Sequence, residues 1–131
     1  MVVLPATLSA AAAAAAINLW LSIRVGQVRR QTGISVGDGG NELLQRRMRA
    51  QLNFVENTAI VLILLGLIEL ARLDNPWLLY AGAIYSIGRV LHGLGMDGGA
   101  FGIGRAIGTL ITMLFQLILG VWAVLIVAGI Y

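Results

Sequence analysis

Long apolar runs separated by short polar punctuation set the plan of this chain. Residues 2–23 are almost wholly apolar, with Asn18 and Ser22 the notable polar members. At 1.5 Å per residue, about 20 residues cross a hydrocarbon layer of roughly 30 Å. The run therefore predicts a membrane-crossing helix over residues 2–30. No positive residue precedes the alanine run at 10–16, and the apolar stretch continues past it. Those alanines are expected to be a small-residue packing face rather than a leader cleavage region. Residues 33–40 are rich in breakers and predict a loop. Asn41 is placed to cap the next helix, with Glu42 favourable in its first turn.

The second predicted helix, 41–73, has two halves. Residues 42–57 are amphipathic, and residues 58–68 are almost entirely apolar. The apolar half is too short to span alone, so the polar half must enter the membrane or line a cavity in it. Asp74, Asn75 and Pro76 predict its end. A third helix over 77–94 carries Arg89 and His92. Residues 93–104 hold six glycines and Asp97 and predict a mobile loop. A fourth helix, 104–128, carries Arg105 near its start, and Gly104-x-x-x-Gly108 predicts a close helix contact. Trp77, Tyr80, Trp122 and Tyr131 suit interfacial belts, and Trp20 a lipid-facing or subunit contact. There is no internal repeat and no soluble segment. The expectation is one transmembrane domain over 1–131, an all-α integral membrane four-helix bundle in up-down-up-down order.

Composition agrees. Of the 131 residues 59% are hydrophobic and 11% charged, and the mean hydropathy is +0.89. A chain with so few charges lacks the polar surface to cover itself in water. With no cysteine, disulfides, thiolate metal sites and cysteine nucleophiles are excluded. Metal-ligand spacing, a phosphate loop and a Ser-His-Asp arrangement are not present either. The net charge of +3 does not point to nucleic acid, because the nine basic residues, all arginine, mark a membrane boundary. Eight of them flank the first and third connections, and Arg72 alone lies near the opposite side. The arginine-rich side is therefore expected to be cytoplasmic, with both termini outside. Arg24 and Arg47 are read as head-group anchors.

Arg49, Asn53 and Glu56 stand at i, i+4 and i+7, one face of a helix. A charge at membrane depth costs roughly 2.5–3.5 kcal/mol on insertion scales, so Glu56 needs a partner or a wet cavity. It either pairs with an arginine or binds a ligand, or does both. Arg46 continues the face, Arg89 and His92 share a face of the third helix, and Arg29, Arg30 and Arg105 stand at the same level. Such a layer suits a multi-carboxylate ligand, with arginine forks on carboxylates and Glu56 on an ammonium group. Asn53 would donate and accept at a peptide bond, and an arginine beside a thiol would favour the thiolate. Glutathione meets these demands, as do other amino-acid-like ligands.

Arg49-Ala-Gln-Leu-Asn-Phe-Val-Glu56 resembles the signature of the MAPEG proteins, membrane-associated proteins in eicosanoid and glutathione metabolism. Gly88-Arg-Val-Leu-His92 is similar to the third-helix segment of their prostaglandin E synthase branch. Arg105 follows His92 at a spacing like that of the branch's thiolate-stabilising arginine. Gly37-Asp-Gly-Gly-Asn41 resembles bacterial members, which implies a bacterial inner membrane. The resemblance implies a homotrimer with glutathione sites between subunits. It implies ligand contacts from Arg29, Arg49, Asn53, Glu56, Arg89 and His92, and a catalytic Arg105. It implies a membrane-bound glutathione transferase or peroxidase that activates the thiolate and conjugates or reduces lipophilic electrophiles entering from the bilayer. Ala106, Met96 and Thr109 replace hydroxyl residues of the prostaglandin branch and argue against its isomerase chemistry. The alternatives are a non-catalytic lipid-binding scaffold, which would not need Arg105, and a small multidrug-type transporter, which the arginines around Glu56 disfavour.

Overall fold

The computed structural model describes every residue except Met1, Asp74 and Tyr131. The roles expected of Asp74 and Tyr131 therefore lie outside the described residues. Four helices carry the chain: α1 (Pro5–Thr32), α2 (Glu42–Ala71), α3 (Trp77–Gly95) and α4 (Ile103–Val127). One 3-10 turn, Gly99–Phe101, precedes α4.

Local chemistry sets the ends. Pro5 opens α1, where its missing N–H costs nothing. Gly33 closes it at φ 72°, returning its N–H to the Arg29 carbonyl at 2.9 Å. The Asn41 side chain caps α2 by accepting from the Leu44 N–H at 2.9 Å, as its position predicts. Asn75 Oδ1 accepts from the Trp77 N–H and turns the chain into α3.

The helices run up-down-up-down. Glu69 near the end of α2 meets the start of α1, and Met48 near the start of α2 meets Arg29 near the end of α1. In the bundle α1 packs on α2 and α3, and α4 packs on the same two. The outer pair, α1 and α4, do not meet among the described residues. Three segments are long and apolar enough to cross a membrane: α1, α2 and the stretch Gly99–Val127 that contains α4. α3 has 19 residues and carries Arg89 and His92. It touches all three other helices, so its polar side chains can face protein instead of lipid.

The core is thin. Ala6, Ala10, Val61, Leu65, Ile68, Leu78, Tyr85 and Leu119 form its larger part. Outward, α4 exposes Leu110, Met113, Leu117 and Ile118, and α2 exposes Ile60, Ile63 and Leu67. Such faces are stable against acyl chains or another protein surface. Trp77 and Tyr80 are exposed at the start of α3, where belt residues are expected. Trp122 departs from that expectation, being half-buried against the core.

Two contacts define the ends of the bundle. At the end away from the arginines, Glu69 is only 3% exposed. Its carboxylate accepts from the backbone N–H groups of Ala6 and Thr7, both at 2.8 Å, and from Thr7 Oγ1 at 2.6 Å. The last turn of α2 thus caps the first turn of α1, which has no cap of its own. At the other end α3 and α4 touch backbone to backbone. A Cβ at Gly95 would lie 2.1 Å from the Arg105 nitrogen, and one at Gly108 would lie 2.4 Å from the Gly88 carbonyl. Gly104 and Gly108 are the packing contact that their spacing predicts.

Gly108→Ala should lower the melting temperature in detergent, since overpacking costs about 1–3 kcal/mol. Gly26→Ala, whose new methyl would meet nothing within 4 Å, should be neutral or slightly stabilising. Thermal-shift measurements on both check this; equal melting temperatures would remove the backbone contact as a determinant.

Candidate functional site

The first turns of α2 bury Leu44, Ala50, Phe54 and Thr58 toward the bundle. That choice turns the face carrying Arg49, Asn53 and Glu56 away from the core. Arg49 and Glu56 are exposed and Asn53 is half-buried. The three line a cavity of about 140 Å³ together with Leu52, His92 and Met96. A second cavity of about 430 Å³ lies between α1 and α2, lined by Val25, Arg29, Met48, Arg49, Gln51, Leu52 and Val55. Arg49 and Leu52 form the wall shared by the two. One cavity is thus polar and the other largely apolar with two arginines at its edge.

A hydrogen-bonded chain supports the polar cavity from behind. Arg89, 1% exposed, donates to Asn53 Oδ1 at 2.7 Å and to Thr112 Oγ1 at 2.8 Å. Thr112 Oγ1 in turn donates to the Gly108 carbonyl at 2.8 Å. The Arg89 guanidinium also lies 5.8 Å from the centre of the Phe54 ring. Arg89 does not line the cavity and reaches it through Asn53. Asn53 Oδ1 thus has one acceptor site occupied by Arg89, and its second lone pair and its amide nitrogen are not engaged by that contact. His92, 4% exposed, lines the cavity with its Nδ1 buried and unpartnered. A buried polar atom without a partner is a reason to look for a missing one.

Arg29 is partly engaged in structure. It donates to the carbonyls of Gly37 at 3.0 Å and Ile34 at 3.3 Å, fastening the α1–α2 loop. Arg46 pairs with Glu42 one turn before it. Arg105, in the first turn of α4, is exposed. Among the described residues, Arg49, Glu56 and Arg105 make no side-chain hydrogen bond or ion pair within the chain. Pairing of Glu56 with an arginine of its own chain, one of its two expected roles, is therefore not present.

Two arginines expected to be head-group anchors do something else. Arg24 and Arg47 converge on Asp97, in the segment expected to be a mobile loop. Arg47 binds the carboxylate with both Nε and Nη2, at 3.2 and 3.0 Å, and its Nη1 donates to the Arg24 carbonyl at 3.0 Å. Arg24 donates to Asp97 Oδ2 and, at 2.7 Å, to the Gly93 carbonyl. Its guanidinium stacks 4.8 Å from the Trp20 ring centre, and Trp20 also lies over Gly93. Trp20 is accordingly an interior packing residue as well. Sequence reading missed this cluster because an Arg near a membrane boundary has a sufficient explanation there. The available signal was Asp97, an acid flanked by glycines on an arginine-rich side.

The model of the MAPEG family covers residues 7–125 of the chain. No curated protein matches it.

Partial burial pushes the Asp97 carboxyl up, but hydrogen bonds and charge from Arg47 and Arg24 outweigh this and hold it below its ordinary 3.8. A depressed carboxylate stabilises the fold fully above the unfolded pKa and loses that contribution as pH falls through the folded one. The melting-temperature gap between wild type and Asp97→Asn should therefore be constant from about pH 5 to 8 and close below about pH 4. A gap that persists into strong acid would show that the carboxylate charge is not what stabilises this end.

Proposed function

Because the chain belongs to the MAPEG family of integral membrane proteins, we propose that it is a glutathione transferase, with peroxidase activity as a second outlet of the same thiolate. The observation that carries this reading is a set of charges, from the first half of α2 and the start of α4, that are unpaired among the described residues. Arg49 and Glu56 line the polar cavity with His92, whose buried Nδ1 has no partner, and Arg105 stands exposed in the first turn of α4; none of the three charges has a side-chain partner among the described residues. In a membrane such groups require compensation from outside the chain. A γ-glutamyl tripeptide brings carboxylates for Arg49 and Arg29, an ammonium for Glu56 and a peptide carbonyl for the Asn53 amide.

Size supports an assembled site. Ligand pockets enclose about 300–1,000 Å³, and the polar cavity of one chain measures about 140 Å³. A second copy laid against the exposed α2 face would complete the walls and supply further arginines. A homotrimer with sites between subunits is the arrangement proposed. The arginine-rich end is placed on the cytoplasmic side of a bacterial inner membrane, with both termini outside.

The chemistry follows from charge. Arg105 stabilises the sulfur after the thiol proton leaves to solvent. The thiolate then attacks a lipophilic electrophile arriving from the bilayer; a sulfur–carbon bond forms and the leaving group departs with its electron pair. With a lipid hydroperoxide, one thiolate attacks the O–O bond and a second displaces the sulfenic oxygen as water, giving an alcohol and glutathione disulfide.

Purified protein should conjugate a chlorodinitrobenzene-type electrophile in a glutathione-dependent manner. Arg105→Ala should cut kcat/KM by about 100-fold or more, with glutathione binding within a few-fold. Arg49→Ala and Glu56→Gln should weaken glutathione binding by about 10- to 100-fold, the loss of a charged hydrogen bond worth about 1.5–3 kcal/mol. No glutathione binding at millimolar concentration, measured by equilibrium dialysis, would overturn the proposal. Binding without turnover would return the scaffold alternative.

A further inference from the structure

We propose that Asp97, clamped by Arg24 and Arg47, is a positioning residue that fixes Arg105 for thiolate stabilisation. The inference rests on the role proposed above for Arg105.

The segment between α3 and α4 has every reason to be loose. Gly95, Gly98, Gly99 and Gly102 leave its backbone with few local preferences. Gly98 and Gly99 adopt φ of 84° and 64°, which side-chain-bearing residues rarely do. Left to itself, such a segment would let the first turn of α4 wander. Arg105 belongs to that turn. Its backbone N–H returns to Gly102 at 3.2 Å, inside the same glycine segment.

The clamp removes that freedom from three directions. Arg24 of α1 holds the last turn of α3 twice, at the Gly93 carbonyl and at the Asp97 carboxylate. Arg47 of α2 grips the same carboxylate with two nitrogens and ties itself to the backbone of α1 through the Arg24 carbonyl. Arg46 of α2 lies against Gly98, where a Cβ would stand 2.8 Å from its Nη1. The last turn of α3, so held, is the surface on which α4 begins. The backbone at Gly95 and at Arg105 is in direct contact, closer than any side chain at 95 would allow. Met96, between Gly95 and Asp97, forms part of the wall of the polar cavity. One carboxylate therefore sets both that wall and the origin of the helix that carries Arg105.

The charge count favours positioning over mere solvation. Two buried or half-buried guanidiniums share one half-buried carboxylate. Neutralising Asp97 leaves two like charges facing each other across the end of the bundle, so the clamp opens rather than slackens. Among the described residues the Asp97 carboxylate bonds Arg24 and Arg47 and not Arg49, Asn53 or Glu56, so it bears on the ligand-holding face only indirectly, through the backbone beside Met96.

The test uses full-length protein in detergent or nanodiscs, with Asp97→Asn and Asp97→Glu beside wild type. Three quantities are read: thiolate absorbance of bound glutathione against pH, equilibrium binding of glutathione, and backbone amide exchange. Asp97→Asn should raise the pKa of the bound thiol by about one unit, toward the free value near 8.5. Its kcat near neutral pH should fall roughly tenfold and recover at alkaline pH, as thiolate is restored. Glutathione binding should stay within about threefold, and exchange should quicken at residues 96–106 while the rest of α2 keeps its protection. Asp97→Glu should restore the thiol pKa most of the way.

An unchanged thiol pKa in a folded Asp97→Asn protein overturns the proposal, whether or not exchange quickens. So does a loss of binding and melting temperature that leaves the pKa in place, the signature of a purely structural residue. If Asp97→Asn fails to fold, Arg47→Lys, which keeps the charge and loses the two-point grip, is expected to show the same pKa rise in milder form; no rise there overturns it equally. A wild type that binds no glutathione removes the functional reading, and this role of Asp97 with it. A wild-type thiolate band that the variants leave unmoved removes the positioning role alone.

Discussion

Charge compensation in a medium that does not solvate charge is the constraint on which this structure depends. Lipid offers neither hydrogen bonds nor a high dielectric, so each ionised group must find its partner in protein, at the head-groups or in a ligand. Glu69 finds the start of α1. Asp97 finds Arg24 and Arg47. Arg89 is held by Asn53, Thr112 and the face of Phe54. Each of these solutions joins two or three helices. Polar contacts do at both ends of the bundle what a thick apolar core does in a soluble protein.

The remaining charges acquire meaning by contrast. Where the fold has compensated Glu69 and Asp97 so completely, the absence of partners for Arg49, Glu56 and Arg105 among the described residues is a property of the surface they occupy. Arg49 lines two cavities, Glu56 lines one of them, and Arg105 opens α4. One cavity is polar and the other apolar. That pairing suits the proposed meeting of a water-soluble thiol with a lipid-soluble electrophile. The buried Arg89–Asn53 contact fixes one wall residue of the polar cavity from behind.

The α3–α4 hairpin joins the two halves of the argument. Its glycines allow backbone contact, and that contact transmits the position of one helix end to the next with little slack. Flexibility in the sequence of the connection is offset by the grip on its single acid. A glycine-rich segment near a site is often read as a moving part. Here it is the means of close approach.

The four helices, their order and the polar face of α2 were legible in the sequence. Each rests on local rules: run length, helical spacing, and the capping chemistry of Asn41 and Gly33. The same rules brought Arg49, Asn53 and Glu56 together, because residues on one helix have a fixed geometry whatever they pack against. The contact at Gly104 and Gly108 was legible for a similar reason, as small residues at that spacing leave only close packing as a use. What only the tertiary structure decided is which charges meet across helices. Nothing local joins Arg24, Arg47 and Asp97, or Glu69 and Thr7, which are separated by dozens of residues. Their partners were chosen by how the helices rotate against one another, and that rotation follows from packing the whole bundle at once. The sequence thus determined the face that carries the unpaired charges, and the folded bundle decided, by pairing all it could, which charges were left on it.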